Sequence, residues 1–343
     1  MKRVRLQGRL STGWCVGLIV LPVVTAFLAI GIGRIWISPG EIVSSLRGLL
    51  RGIETVSAQT NMVLWKIRLP RILLAALCGA GLSAAGCSYQ SLFANPLATP
   101  DTLGVASGAS FGAALGILMG LSLGGIQLTS LLFGIAAVAL TWLAGAGKAG
   151  SGKGMNTIVL SGIMIGSLFS ALVSLVKFTA DTESELPAIT YWLMGSLDSA
   201  NFKSLSLGAP PILIGIVVLM LLRWRMNLLP LSDDEARASG VNIRALRGVV
   251  ILCATMMTAS CVSMCGQVGW VGLLVPHICR MKFGNNHLSL LPASVSLGAV
   301  FMILVDTLAR SVSSVEIPVS ILTAIIGAPF FILLMRKSGG WSL

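Results

Sequence analysis

Ten separate runs of about 17–22 mainly apolar residues recur along the chain, and they limit its fold more than any other feature. A bilayer's hydrocarbon core takes about 20 helical residues to cross. Lipid offers no water to backbone amides, so such runs must be helices that satisfy their own hydrogen bonds. The runs cover roughly 14–33, 72–92, 103–123, 126–146, 157–178, 205–222, 245–266, 267–283, 290–311 and 317–335. The eighth is short and holds Pro276. Segment 186–197 (LPAITYWLMGSL) is too short to span and is expected at the interface. MKRVRLQGRL and the apolar run after it resemble a signal peptide, but the run is too long and no small-x-small cleavage site follows, so it reads as a retained first span. The expected fold class is an all-α polytopic membrane protein of about ten transmembrane helices, forming a single transmembrane domain over 1–343.

Charge sets the orientation. Only 10% of the residues are charged and 55% are hydrophobic, where a soluble protein has about 25% charged. The net charge of +12 sits mainly at the ends of apolar runs, which marks membrane flanks and gives no sign of nucleic-acid binding. With the N-terminus inside, segments 1–13, 93–102, 147–156, 223–244, 284–289 and 336–343 are cytoplasmic and hold most of the lysines and arginines, so both termini are expected in the cytoplasm. The outer segment 179–204 leans acidic. Residues 34–71 break the rule, with Arg34, Arg47, Arg51, Lys66, Arg68 and Arg71 on the outside, a surface suited to an acidic partner or an anionic substrate.

The polar stretch 223–247, RWRMNLLPLSDDEARASGVNIRALR, interrupts this pattern. Ser232 and Glu235 form a capping-box signature, Asp233 and Asp234 suit a helix start, and Gly240 suits a left-handed helix end. A helix this short is marginal in water, so it calls for something to pack against, either the loop itself or a partner outside the membrane. The stretch also divides the chain. Spans two to five and seven to ten begin on opposite sides, each near an arginine pair (Arg68 with Arg71, Arg244 with Arg247), which predicts two halves of inverted topology. Small residues recur at every fourth position in several spans: Gly104 to Gly120 in the third, Ala75, Gly79, Ser83, Cys87 and Ser91 in the second, and Gly162, Gly166, Ser170 and Ser174 in the fifth. Such ridges let membrane helices approach closely; one that faces a cavity gives a smooth, weakly polar wall.

Other motifs carry less. GKAGSGKG (147–154) nearly matches a phosphate loop, but Gly154 stands where a Ser or Thr should meet magnesium and a membrane helix precedes it, so it reads as a flexible turn. Cys253, Met257, Cys261 and Cys265 form a sulfur ridge that could pass a soft metal or simply fill a core. The seven cysteines lie in apolar runs without a Cys-x-x-Cys pair and read as small apolar residues. His277 reads as a structural hydrogen-bonding group, and Asp306 and Arg310 can pair along one helix face or serve docking. No catalytic constellation is present.

Residues 68–112 (RLPRILLAALCGAGLSAAGCSYQSLFANPLATPDTLGVASGASFG), LSDDEARASGVNIRALR, GWVGLLVPHICR (269–280), LVDTLAR (304–310) and IPVSILTAIIGAPFFILLMRK (317–337) strongly resemble the permease subunits of ABC importers for ferric siderophores, haem and cobalamin. The resemblance implies a non-catalytic permease in the bacterial inner membrane that pairs with a second copy of itself or a paralogous permease. It implies two ATPase subunits below, which hold the ATP and magnesium, and an extracytoplasmic substrate-binding protein above. No cofactor is expected on this chain. Ser232, Asp233, Asp234, Glu235, Ala236, Arg237 and Gly240 would form the element that couples to the ATPase. Arg68, Arg71 and Arg310 would dock the binding protein. Asn156, Thr157, Gly162, Gly166 and Ser170 would line the translocation path. The cargo implied is a ferric-siderophore-type chelate, with haem or cobalamin as alternatives in the same family. Outside the family, an ion-coupled secondary transporter would place acidic or histidine residues mid-span, where spans two to eight have almost none, and a sulfur-based metal conductor would depend on Cys261 and Cys265.

Overall fold

The structure is a computed structural model that describes residues 10–52, 55–145, 155–231, 235, 238–313 and 315–337. Its elements are helices: α1 (Thr12–Gly31), α2 (Pro39–Arg51), α3 (Ala58–Met62), a π-helical turn (Val63–Arg68) that runs on into α4 (Leu69–Leu92), α5 (Val105–Leu118), α6 (Leu123–Gly145), α7 (Met155–Thr179), α8 (Glu185–Leu193), α9 (Phe202–Leu222), a 3-10 turn (Arg225–Leu228), α10 (Ile243–Cys265), α11 (Val271–Phe283), α12 (His287–Ser311) and α13 (Val319–Lys337). Each of the ten expected spans is represented by a helix, and seven of these are long and apolar enough to cross a membrane by themselves.

Two of the ten are cut short. The expected span 103–123 is helical only over the 14 residues of α5, and the expected span 267–283 only over the 13 of α11. These reach about 20 Å, less than a hydrocarbon core of about 30 Å. The cause is local. Gly104 has φ +77° and Gly266 has φ +70°, left-handed values that a running helix cannot hold. The non-glycine Trp270 also has φ +68° directly before α11. Both shortened helices therefore follow a non-helical entry, 93–104 before α5 and 266–270 before α11. Each is the second member of its expected set of four, and short, interrupted helices at matching places in two halves point to a transport route.

The packing of the two sets is reciprocal. α4, first of one set, lies against α11 and α12 of the other. α10, first of the second set, lies against α5 and α6 of the first, and α4 and α10 meet at the centre. Burial follows this plan: 83% of the spanning stretch that includes α4 and 78% of that of α10 is buried, against 11% of that of α1. The small ridge of α4 makes the centre possible. At Gly79, a Cβ would lie 2.1 Å from the Gly298 carbonyl oxygen of α12. The backbones touch there, which is how membrane helices gain dispersion contact without a hydrophobic drive.

The sulfur ridge of α10 turns into this core. Cys253, Met257, Cys261 and Cys265 are all buried, with Met257 against Gly215 of α9 and Cys265 Sγ 3.6 Å from Cys78 Sγ of α4. These side chains fill gaps between helices and line no route, so the metal-conducting reading has no geometric support. α2 is an element that the hydropathy pattern passes over, because it is amphipathic and not apolar. Its start was nonetheless legible in Ser38-Pro39-Gly40-Glu41. The Ser38 hydroxyl accepts from Glu41 N, and the Glu41 carboxylate accepts from Ser38 N at 2.9 Å, a complete capping box.

Candidate functional site

Three places on the molecule carry the polar residues that the sequence singles out. The first is the end of the bundle where α1 stops and α4 starts. α1 ends with orphan carbonyls and the negative pole of its dipole. Two arginines from elsewhere in the chain satisfy them. Arg310 of α12 donates to Ala29 O and Ile32 O, each at 2.5 Å. Arg68 donates to Ile30 O at 2.5 Å, to Gly31 O at 3.2 Å and to Ile35 O. Arg71 instead pairs with carboxylates: its Nε donates to Asp306 Oδ1 at 2.8 Å and its Nη1 to Glu316 at 2.9 Å. Asp306 also lies 3.5 Å from Arg310 Nε, so the pairing along α12 exists but is the longer contact. All three arginines are buried, and their guanidiniums engage this chain's own groups. Hydropathy could not reveal the α1 carbonyls or Glu316 as their partners. Arg34, an exposed neighbour, donates to Ser313 O at 3.3 Å.

The second place is the opposite end. Gly240 has φ +71° and ends a helical turn in which Ser239 N donates to Glu235 O at 3.3 Å. Ser232, Asp233, Asp234, Ala236 and Arg237 lie outside the described residues, as does the 147–154 turn. Beside this turn, a polar cavity of about 690 Å³ is lined by Gln90, Asn227, His277, Arg280, Asn286 and His287, among others. Arg280 donates to Gln90 Oε1 at 2.9 Å. His287, buried at the start of α12, has Nε2 2.5 Å from Ser91 Oγ, while its backbone N donates to Asn227 Oδ1. His277 packs edge-on against Phe331, and its Nδ1 has no hydrogen-bond partner among the described residues. The structural hydrogen-bonding histidine is thus His287, not the expected His277. The signal that could have found it is Asn286, the N-cap of α12.

The third place is the face of α7. Ser167, Ser170 and Ser174 are exposed along it, and each hydroxyl donates to the carbonyl four residues back at 2.9–3.1 Å. A cavity of about 590 Å³ lies between this helix and the non-helical entry to α5, lined by Asn95, Thr102, Ser107, Gly166, Ser167 and Ser170 among others. Asp101 lies on the same wall and accepts from Ala106 N at 2.7 Å. Among the described residues, no lysine or arginine lines it. Gly162, Gly166 and Ser170 all line this space; a Cβ at Gly162 would lie 2.4 Å from Thr102 O, so this glycine also lets the entry segment lie against α7. Asn156 is exposed and Thr157 half-buried in the first turn of α7. The cavity therefore joins the small-residue ridge of the fifth span to one of the two shortened helices.

Comparison with known proteins agrees with this geometry. The model of the FecCD transport family matches residues 20–337. Among curated proteins, the chain is similar to the molybdate import system permease protein MolB of Haemophilus influenzae, at 43% identity over 94% of both chains. It is also similar to the Fe(3+)-citrate import system permease protein YfmE of Bacillus subtilis, at 37% identity over 93% of both. Among solved structures, it superposes with TM-score 0.84 and 41% identity on a protein described as a metal-chelate type ABC transporter in an inward-facing conformation, covering 95% of this chain and 100% of that one. With its helical architecture and multiple apolar spans, the chain belongs to the FecCD transport family and is a multi-pass membrane permease of an ABC importer.

Proposed function

We propose that the chain forms the membrane route for a small metal oxyanion of the molybdate kind, driven by ATP hydrolysis on separate subunits. The observation that carries this reading is the 43% identity to a molybdate permease along 94% of both chains. The α7 cavity is the space that such a route would use: Ser and Thr hydroxyls, the Asn95 amide, glycine backbone and the Asp101 carboxylate line it. A second reading, a ferric-siderophore-type chelate, rests on the motifs of the sequence and on the 37% identity to a ferric citrate permease. Haem or cobalamin remain variants of that second reading.

In this proposal two copies of the chain, or this chain and a paralogue, face each other across α7, with Gly162, Gly166 and Ser170 on the path and Asn156 and Thr157 near its cytoplasmic mouth. The segment Ser232 to Gly240 couples to the ATPase, so the ATP and magnesium belong to that partner. Arg68, Arg71 and Arg310 serve the binding protein by shaping the outer end from within, holding α1, α4 and α12 in register beneath the docked lobes. The chain is non-catalytic, sits in the bacterial inner membrane and keeps both termini in the cytoplasm. Conformational bias must come from differential contacts of ATPase and binding protein with the outward and inward states. The test is uptake into proteoliposomes that hold the permease and its ATPase, with the binding protein supplied outside. Molybdate should accumulate with ATP and stimulate hydrolysis. Accumulation of ferric siderophore, haem or cobalamin without molybdate uptake overturns the oxyanion reading.

A further inference from the structure

Three basic residues of 34–71 are not used by anything described so far. Arg47, Arg51 and Lys66 are exposed, and α2 carries the first two. The helix is clipped to the bundle by one polar chain, with Trp65 Nε1 donating to Ser45 Oγ at 2.9 Å and Ser45 Oγ to Asn61 Oδ1 at 2.5 Å. Ile37 and Ile42 pack with Leu64 and Ile30 to the same end. α2 therefore lies just past the end of α1, beside Trp65 and about one turn from Arg68, where the α1 carbonyls are capped.

Its sides divide three ways. At about 100° per residue, with Ile42 taken as zero, the buried Ser45 and Gly48 lie near about 300° and 240°. Leu46, Leu50 and Val43 follow at about 40°, 80° and 100°, then Arg47 and Arg51 at about 140° and 180°. The leucine side faces no protein: Leu50 is 80% and Leu46 46% exposed. It continues the exposed apolar surface of α1, through Leu28, Ile32, Ile35 and Trp36. Glu41 lies on the far side at about 260°, tied to Ser38. One side thus holds protein, the next is apolar and open, and the next is basic. That order fits a helix lying in the plane of the membrane surface. Beside it, a groove of about 420 Å³ runs between α2 and the π-helical turn, with Leu49, Met62 and Trp65 on its walls and Lys66 at its edge.

We infer that α2 is an interfacial helix that holds an anionic phospholipid of the adjacent leaflet, its phosphate at Arg47 and Arg51 and its acyl chain along Leu46 and Leu50. Charge complementarity and continuity with the lipid-facing side of α1 select this occupant. Trp and Lys at this level are the side chains that favour a membrane interface. Arg47 and Arg51, two of the basic residues that break the orientation rule, then mark a headgroup site and not a loop on the wrong side.

The test uses full-length permease in nanodiscs of phosphatidylcholine and phosphatidylglycerol. Native mass spectrometry after mild extraction should find phosphatidylglycerol retained, and R47Q/R51Q should retain at least fivefold less while phosphatidylcholine is unchanged. R47K/R51K should retain it as the unaltered chain does, which separates charge from folding. On a Cys15→Ser background, a bimane label on Leu50→Cys should be quenched by brominated acyl chains at least fivefold more strongly than by aqueous iodide. Equal retention in the double glutamine variant overturns the inference. So does iodide reaching the label, including a label that only the binding protein shields, which would make α2 a protein docking face. Displacement of the lipid by inorganic phosphate would make it a simple anion site and also overturns it.

Discussion

Arg71 of α4 and Asp306 of α12 form an ion pair of 2.8 Å, with their side chains 7% and 0% exposed. Removing Asp306 leaves Arg71 with Glu316 alone and takes from Arg310 its nearby carboxylate, at a cost approaching that of a broken buried pair, about 3–5 kcal/mol, whereas removing both partners costs less. Asp306→Ala should therefore lower the unfolding midpoint of the purified permease sharply, and Arg71→Met with Asp306→Leu should recover much of the loss. Simple additivity of the two single changes in a denaturation series would refute the coupling.

The central helix crossing makes a prediction of opposite signs. A Cβ at Gly79 would meet the Gly298 carbonyl at 2.1 Å, and backbone cannot yield as a flexible side chain can. Gly79→Ala should destabilise at the upper end of about 1–3 kcal/mol. At Gly17, inside α1, a Cβ meets nothing within 4 Å, so Gly17→Ala should stabilise by about 0.5–1 kcal/mol through reduced chain entropy. Melting of the two variants in one detergent compares them directly.

Gly240 ends its helical turn in a left-handed conformation that β-branched residues do not tolerate. Gly240→Val should displace the turn and reduce ATPase co-purification and ATP-driven uptake at least severalfold. Gly240→Asn, which accepts this conformation, should retain both. Equal loss in the two variants would show that space, and not backbone geometry, matters at this position.

The α7 cavity separates transport from assembly. A Cβ at Gly166 would make only ordinary contacts, the nearest at 3.6 Å, so Gly166→Ala should fold and transport. Gly166→Leu should fill the space between α7 and the entry to α5 and cut uptake at least tenfold with the ATPase still bound. Full uptake by the leucine variant would remove this cavity from the route.

The cap of α2 is sensitive to acid. Hydrogen bonds from the Ser38 backbone N–H and hydroxyl hold the Glu41 carboxyl below the usual carboxylate range. A depressed folded-state value means that the contribution to stability is present above the unfolded value, about 4.3, and fades as the pH falls through the folded one. Amide protection in α2, corrected for intrinsic exchange, should fall below about pH 4. Glu41→Gln should flatten that dependence, and Ser38→Ala should cost about 1 kcal/mol at neutral pH and less in acid, where the hydroxyl's bond to the carboxylate is lost.

Much of the fold was legible because it is set locally. Apolar runs must be helices in lipid, and caps act over three or four residues, so the ten helices and the helix end at Gly240 follow from sequence, as does the start of α2 at Ser38. Local patterns also told which ridges are small enough for close packing. What they could not tell was direction. Arg71 finds Asp306 at a separation of 235 residues, and Arg310 finds the end of α1 at 278 to 281. Charged side chains this near the membrane's edge are either presented outward or satisfied within, and only the meeting of α1, α4 and α12 decides. The same holds for the sulfur ridge of α10, which became core because α4 and α9 cover it, and for His287, which took the role expected of His277. The shortening of α5 and α11 depends on entry segments wedged against α7 and α8 respectively, with Gly162 lying against Thr102 and Gly266 against Trp192. Sequence periodicity determines which stretches are helical and which faces are small. Tertiary contacts between distant helices decide which polar groups are buried, and so where this permease keeps its route open.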